Sequence, residues 1–176
     1  VPLGKVRVYN GYGPTEFTVA SSYHRVESQR DTDNIPIGRA VPNTISAIVD
    51  RAGHLLPRGA AGELCLLGCQ MARAYWNLPD KTAAVFVDAP FAPGERMYHT
   101  GDLVRWNEEG ELEYIGRIDK QVKLRGFRIE LGEIESVLAG FPGIQDAVAA
   151  VQEINGVQQL CPYYTAVGSI DEAMLK

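Results

Sequence analysis

An abrupt change of phase in the apolar pattern of residues 116–135 constrains this chain more than any other feature. Val122 and Leu124 sit two apart, as on one face of a strand, and Phe127, Ile129 and Leu131 repeat that spacing in the opposite parity. A period of two keeps its face only while the strand runs straight. The flip therefore demands a turn or a bulge between the two runs, and Gly126 lies there. The stretch reads as a joint followed by a bent pair of strands. Its charge is dense, with Arg117, Asp119, Lys120, Lys123, Arg125 and Arg128 close together. On density alone, that is the solvated face of a hairpin.

Upstream, the sequence is strand and turn. Residues 6–10 form a short strand that runs into Gly11, Gly13 and Pro14. The glycines open backbone conformations closed to other residues, and the proline fixes the turn. A strand feeding such a loop can bring backbone close to a ligand. Tyr12 could then stack on a base, Thr15 offer a hydroxyl to phosphate and Glu16 a hard oxygen to Mg²⁺, although an ordinary turn accounts for the same residues. Residues 18–23 are β-rich and 27–34 a polar loop. Residues 45–50 alternate as a strand, 51–54 close a turn around His54, and 62–68 are apolar enough for a buried strand. Short strands punctuated by Gly and Pro predict a small barrel or a strongly bent sheet. Residues 71–86 break the rhythm: Tyr75 and Trp76 read as packing residues, and Pro79 opens one or two helical turns. Asp102, following Gly101 at the start of a strand, is either a turn residue or a carboxylate presenting both oxygens to a vicinal diol. Residues 103–115 form a hairpin.

Downstream, Leu131, Ile134, Val137, Leu138 and Phe141 fall at helical spacing, and Gly140 with Pro142-Gly143 ends the helix. Asn155-Gly156 is a strong hairpin turn between strands over 147–154 and 157–167, with Pro162 marking an edge or a bulge. A further helix begins over 170–175. The expected fold class is α+β: a mostly β small barrel or bent sheet over residues 1–118, then a small α+β portion over 119–176 with a β-hairpin and helices.

Composition narrows the function classes. A chain of 176 residues with 45% hydrophobic content can bury a core, and a net charge of −5 gives no general attraction to nucleic acid or to an anionic membrane. No apolar run is long enough to span a bilayer, and no signal peptide is evident. Cys65, Cys69 and Cys161 have neither disulfide-framework nor zinc spacing and read as small buried apolar residues in a reducing compartment. The chain starts at Val1, within ten residues of its first motif, and reads as an excised piece.

Four segments, in order, carry a resemblance. Residues 116–135 resemble the hinge motif of adenylate-forming enzymes, specifically the adenylation domains of non-ribosomal peptide synthetases. Asn10-Gly11-Tyr12-Gly13-Pro14-Thr15-Glu16 resembles their adenine and magnesium motif. Gly62-Glu63-Leu64, through Ala72-Arg73-Ala74-Tyr75, to Thr82 resembles a core motif, with Ala74 where Gly is usual and Leu78 where Arg is usual. Tyr98-His99-Thr100-Gly101-Asp102-Leu103 resembles the ribose motif, with His99 in place of Arg or Lys.

The resemblance implies an enzyme with two half-reactions. A carboxylate attacks the α-phosphate of ATP to give an acyl-adenylate, and a phosphopantetheine thiol of a peptidyl carrier domain then attacks the adenylate. It carries adenine packing to Tyr12, phosphate contact to Thr15, Mg²⁺ to Glu16 and the ribose hydroxyls to Asp102. Arg117 approaches ribose and phosphate, and Asn10 and Gly13 line the nucleotide pocket. It further implies a hinge at Asp119 and a thiol tunnel lined by Gly126, with Arg128 and Lys123 near its mouth. Residues 1–118 would be the end of the large subdomain, and residues 119–176 the hinge and the first part of the C-terminal lid. The remaining partners are an amino acid, the rest of the same adenylation domain and neighbouring synthetase domains, in the cytoplasm. The fragment alone is expected to be inactive, because the phosphate loop and the Asp for the substrate amine lie upstream and the adenylation lysine downstream. Two other readings remain: a piece of an aryl-acid or acyl-CoA ligase, and a non-catalytic module that docks a carrier.

Overall fold

The computed structural model describes residues 6–27, 34–119, 121–124 and 127–168, but not the side chains of Lys123 and Arg128. The expected helix over 170–175 lies outside the described residues. The chain divides into two compact units, Val1–Ile118 and Asp119–Lys176.

The first unit is built from two antiparallel sheets. Strands β1 (Val8–Tyr12), β2 (Ser22–Val26) and β3 (Arg39–Ala40) form the smaller one, in that order. The larger contains β4 (Thr44–Val49), β5 (Gly62–Gly68), β6 (Phe86–Asp88), β7 (Arg96–Trp106) and β8 (Leu112–Arg117). Its order is β4-β5-β7-β6, with β8 also paired to β7. This sheet curls into a half-barrel. It is covered on both sides, which explains why β5 reads as an uninterrupted apolar run. Leu64 and Leu66 point into one core with Phe17, Ile48, Phe86, Tyr98, Val104 and Leu112. Cys65 and Leu67 point into another with Ala47, Val49 and Met97. The turn after β4 is tied by the Asp50 carboxylate, which accepts the Ala52 amide at 2.8 Å and the His54 amide at 2.9 Å.

Several local expectations change. β1 continues through Gly11 to Tyr12, and neither Gly11 nor Gly13 has a positive φ. Gly13 is required for space: a Cβ there would lie 2.3 Å from the Val19 carbonyl oxygen. Residues 18–23 are not one strand, because Thr18 and Val19 take φ of 54° and 68° to close the turn before β2. Helix α1 (Pro79–Val85) stops short of Phe86, whose ring is buried 5.1 Å from Tyr98 and 5.6 Å from Tyr75. Trp76 is not a packing residue; it is 89% exposed. Cys65 is buried as expected, but Cys69 is exposed and Cys161 half-buried, and all three thiols are free.

The second unit holds two hairpins and a helix. β9 (Gln121–Leu124) pairs with β10 (Phe127–Glu130), with Leu124 opposite Phe127 and Val122 opposite Ile129. Directly opposed residues share a face, so a connection of residues 125–126 produces the parity flip seen in the sequence. Helix α2 (Leu131–Ala139) buries Leu131 and Leu138 and ends at Gly140. β11 (Ile144–Ile154) and β12 (Val157–Ala166) pair through the Asn155-Gly156 turn, where φ is 54° and 75°. Both values are positive, as a type I′ hairpin turn needs. Pro162 is tolerated because this sheet has only two strands. Among the described residues, no helix is long and apolar enough to cross a membrane.

Candidate active site

The site is organised by a break in β7. Cys65 pairs with His99 and Leu66 with Tyr98, while Gly62 pairs with Val104 and Glu63 with Leu103. Between these ends, β5 advances from residue 63 to 65 while its antiparallel partner β7 runs back from 103 to 99, so residues 100–102 bulge out of the ladder. Gly101 takes a φ of 70°, a left-handed conformation that suits glycine. Asp102 thus lies at a bulge in mid-strand and not at the start of a strand, because β7 pairs with β5 on both sides of the bulge.

Side chains replace the ladder bonds lost there. The Thr100 hydroxyl donates to the Leu64 carbonyl at 2.8 Å and accepts the Asp102 amide at 3.0 Å. The Gly101 amide donates to Glu63 Oε1 at 3.0 Å. Glu63 Oε2 lies 2.9 Å from His99 Nδ1. On the other side, Asp102 pairs with Arg117 of β8, and the Ile118 amide donates to the Gly101 carbonyl at 2.9 Å.

Three candidate residues from distant positions meet at this bulge. Arg117 Nη1 donates to Asp102 Oδ1 at 3.0 Å and to the Thr100 carbonyl at 2.8 Å. The Tyr12 hydroxyl donates to Asp102 Oδ2. Burial, reinforced by the Asp102 charge, pushes the Tyr12 phenol well above its ordinary pKa, so it remains a donor at neutral pH. A carboxylate offers about four acceptor directions, so Asp102 can still take hydroxyls beside the Tyr12 and Arg117 bonds. That is the capacity a ribose diol requires.

Glu16 is buried in the short 3₁₀ turn Thr15–Phe17. Its Oε1 accepts the Tyr75 hydroxyl at 2.6 Å, and its carbonyl accepts the Ala72 amide at 2.8 Å. Burial first, and the bond to Glu16 second, raise the Tyr75 phenol. Among the described residues, no group of three or more His, Cys, Asp or Glu side chains could hold a metal ion. Glu16 offers a single buried carboxylate, and one or two carboxylates completed by substrate phosphates are a common way to hold Mg²⁺. Thr15 is exposed at the start of the turn. Asn10 donates from Nδ2 to the Pro36 carbonyl at 2.8 Å and to Ile35 at 3.3 Å, tying β1 to the segment before β3.

In the second unit, Asp119 Oδ1 accepts the Gln121 amide at 3.1 Å. Lys123 and Arg128 oppose each other across β9 and β10. Gly126 lies outside the described residues. Sequence reasoning did not single out Glu63, Thr100 or Tyr75 as site residues. A carboxylate beginning an otherwise apolar buried strand was the available signal for Glu63. Cys65 lies 3.5 Å from His99 Nδ1, but burial raises its thiol far above the reactive range.

A family model described as AMP-binding enzyme matches residues 2–76. The chain is 49% identical to tyrocidine synthase 3 of Brevibacillus parabrevis over 99% of its own length and 3% of that protein's. It is 48% identical to tyrocidine synthase 1 of the same organism over 98% of its length and 16% of that protein's. Among solved structures it superposes on PA1221, a non-ribosomal peptide synthetase protein containing adenylation and carrier domains, with a TM-score of 0.83. Identity there is 37%, over 97% of this chain and 35% of that one. The chain belongs to the AMP-binding enzymes and is a fragment of an adenylation domain of the non-ribosomal peptide synthetase type.

Proposed function

We propose that this chain is part of a ligase that activates an amino acid as its adenylate and passes it to the phosphopantetheine thiol of a peptidyl carrier domain. The observation that carries the reading is the convergence of Tyr12, Asp102 and Arg117, drawn from β1, β7 and β8, around one buried carboxylate. Asp102 accepts the ribose hydroxyls, the Tyr12 ring packs on adenine, and Arg117 brings positive charge toward ribose and phosphate. Thr15 contacts the phosphate. Glu16, held by Tyr75, is the Mg²⁺ ligand, and the bound ion supplies positive charge where negative charge builds at the transferring phosphorus. The substrate carboxylate oxygen forms the new bond to the α-phosphorus as the bond to the pyrophosphate oxygen breaks. The thiol then displaces AMP.

The first unit belongs to the end of the large subdomain and the second to the start of the lid. Asp119 serves as hinge, and Gly126, Arg128 and Lys123 border the thiol tunnel. A pivot of a few residues absorbing a large dihedral change suits this position between two packed units. The 176 residues alone are inactive, and the parent enzyme works in the cytoplasm beside the rest of its synthetase. The test is ATP–pyrophosphate exchange by the parent protein against amino, aryl and fatty acids. Exchange with one amino acid is the expected result. Exchange only with an aryl or fatty acid moves the chain to another branch of adenylate-forming ligases, and no exchange by folded protein refutes the catalytic reading.

A further inference from the structure

We propose that Glu63 is a positioning residue for nucleotide recognition: its carboxylate clamps the β7 bulge that presents Asp102. The inference rests on the reading of Asp102 as the ribose ligand. At residues 100–102 the β5–β7 ladder is interrupted, and several backbone groups beside Asp102 have partners outside that ladder. The Leu64 carbonyl has the Thr100 hydroxyl, and the Gly101 carbonyl has the Ile118 amide. The Gly101 amide has Glu63 Oε1 at 3.0 Å. Glu63 is the one partner in this set that reaches the bulge from β5 with a carboxylate, and its other oxygen is 2.9 Å from His99 Nδ1, just before the bulge. One side chain therefore brackets the bulge, holding residue 99 with one oxygen and residue 101 with the other. Its backbone meanwhile keeps the register opposite Leu103, just after Asp102.

Geometry explains why this matters for Asp102. Its carboxylate must meet Tyr12 on one oxygen and Arg117 on the other while keeping acceptor directions for two hydroxyls. That leaves little rotational freedom for residue 102, and the direction of its side chain is set by Gly101 at φ 70°. Without an acceptor at residue 63, the Gly101 amide loses its partner, and the peptide between residues 100 and 101 can rotate toward another. Asp102 then turns with it. Leu64 and Cys65 are fully buried on either face of β5, so the strand itself stays in place when the Glu63 side chain is changed.

The test compares equilibrium binding of ATP and 2′,3′-dideoxy-ATP by the parent protein, with thermal unfolding as the control for folding. Wild type should bind the dideoxy nucleotide about ten- to a hundredfold more weakly, the factor expected when hydrogen bonds to a charged acceptor are lost. Glu63→Leu should bind ATP more weakly and reduce that discrimination to within about threefold, because the ribose bonds it has lost are the ones the dideoxy nucleotide lacks. Glu63→Gln keeps a carbonyl oxygen for Gly101 and should retain the discrimination, a rescue that a general loss of stability would not give. If Glu63→Leu does not fold, Glu63→Asp takes its place, since it keeps the charge but is too short to bracket the bulge. A folded Leu or Asp variant that discriminates as well as wild type overturns the positioning role. Wild type that does not discriminate at all overturns the ribose reading of Asp102, and the two failures are thereby told apart.

Discussion

The β7 bulge and the β11–β12 hairpin are both antiparallel pairings in the same chain, yet they distribute their polar groups in opposite ways. The hairpin is a regular ladder from Asp146 opposite Thr165 to Ile154 opposite Val157, and it leaves Val148 and Tyr163 exposed. Most of its backbone is satisfied by its own ladder, and side chains join it at the Asp146 amide, which donates to the Thr165 hydroxyl at 3.2 Å, and at the Ala149 amide opposite Pro162, which donates to Glu135 Oε1 at 3.1 Å. The bulge gives up part of its ladder, and Glu63, Thr100 and Arg117 take over the orphaned groups in a mostly buried setting. A regular ladder presents side chains at fixed two-residue steps, alternating between faces. Breaking it at residues 100–102 releases Asp102 from that alternation and lets it meet Tyr12 and Arg117. The candidate site sits where regular structure fails and is repaired.

On that contrast, the largest effect comes from the bulge itself. Asp102→Ala removes the carboxylate that pairs with the Arg117 guanidinium, which is only 19% exposed. Removing one member of a buried pair costs about 3–5 kcal/mol, and ATP binding by the parent protein should fall by two orders of magnitude or more, measurable by calorimetry. Next is Thr100→Val, which keeps the shape but removes the donor to Leu64 and the acceptor for the Asp102 amide. A destabilisation of about 1–3 kcal/mol is expected in denaturant unfolding, with a weaker ATP affinity. In the hairpin, Gly156→Ala forces a side chain to a φ of 75° and should cost about 1–2 kcal/mol while leaving nucleotide affinity unchanged. Val148→Thr, on an exposed position, should shift stability by less than about 0.5 kcal/mol. An ATP affinity that responded to Gly156→Ala as strongly as to Thr100→Val would break the contrast.

The same contrast sets what was legible from the sequence. Period-two alternation gave β4, a continuous apolar run gave β5, helical spacing gave α2, and Asn155-Gly156 gave the hairpin, because each signal is local. The parity flip at residues 122–131 was legible too, and a two-residue connection accounts for it. The bulge was not legible: Thr100-Gly101-Asp102 reads as a turn until β5 is laid beside it and the register is seen to slip. Tyr75 and Glu16, which share a hydrogen bond, are 59 residues apart, and Glu63 and Gly101 are 38 apart. No local pattern encodes such pairs. Trp76 was misread because an aromatic next to Tyr75 suggests burial, whereas adjacent residues before a helix need not share a face. Residue types for nucleotide chemistry were visible in order along the chain, but the residues holding them were not.

The smallest expected effect sharpens the comparison most directly, because it repeats the wiring of Glu63 without the burial. Asp50 also uses its carboxylate to hold backbone amides, those of Ala52 and His54, across a turn. The His54 amide, followed by that of Ala52, lowers the Asp50 pKa from its ordinary value. A carboxylate with a depressed folded pKa contributes stability above its unfolded pKa and loses that contribution as pH falls through the folded value. The window therefore lies below about pH 4, the ordinary carboxylate value. NMR titration should show the Ala52 and His54 amide resonances moving together in that window. Asp50→Asn should abolish the movement while leaving ATP affinity unchanged, since water can replace an exposed acceptor but not one at the bulge. If Asp50→Asn weakened nucleotide binding as Glu63→Leu is expected to, carboxylate-to-amide wiring would matter wherever it occurs, and burial at the bulge would not be what gives Glu63 its weight.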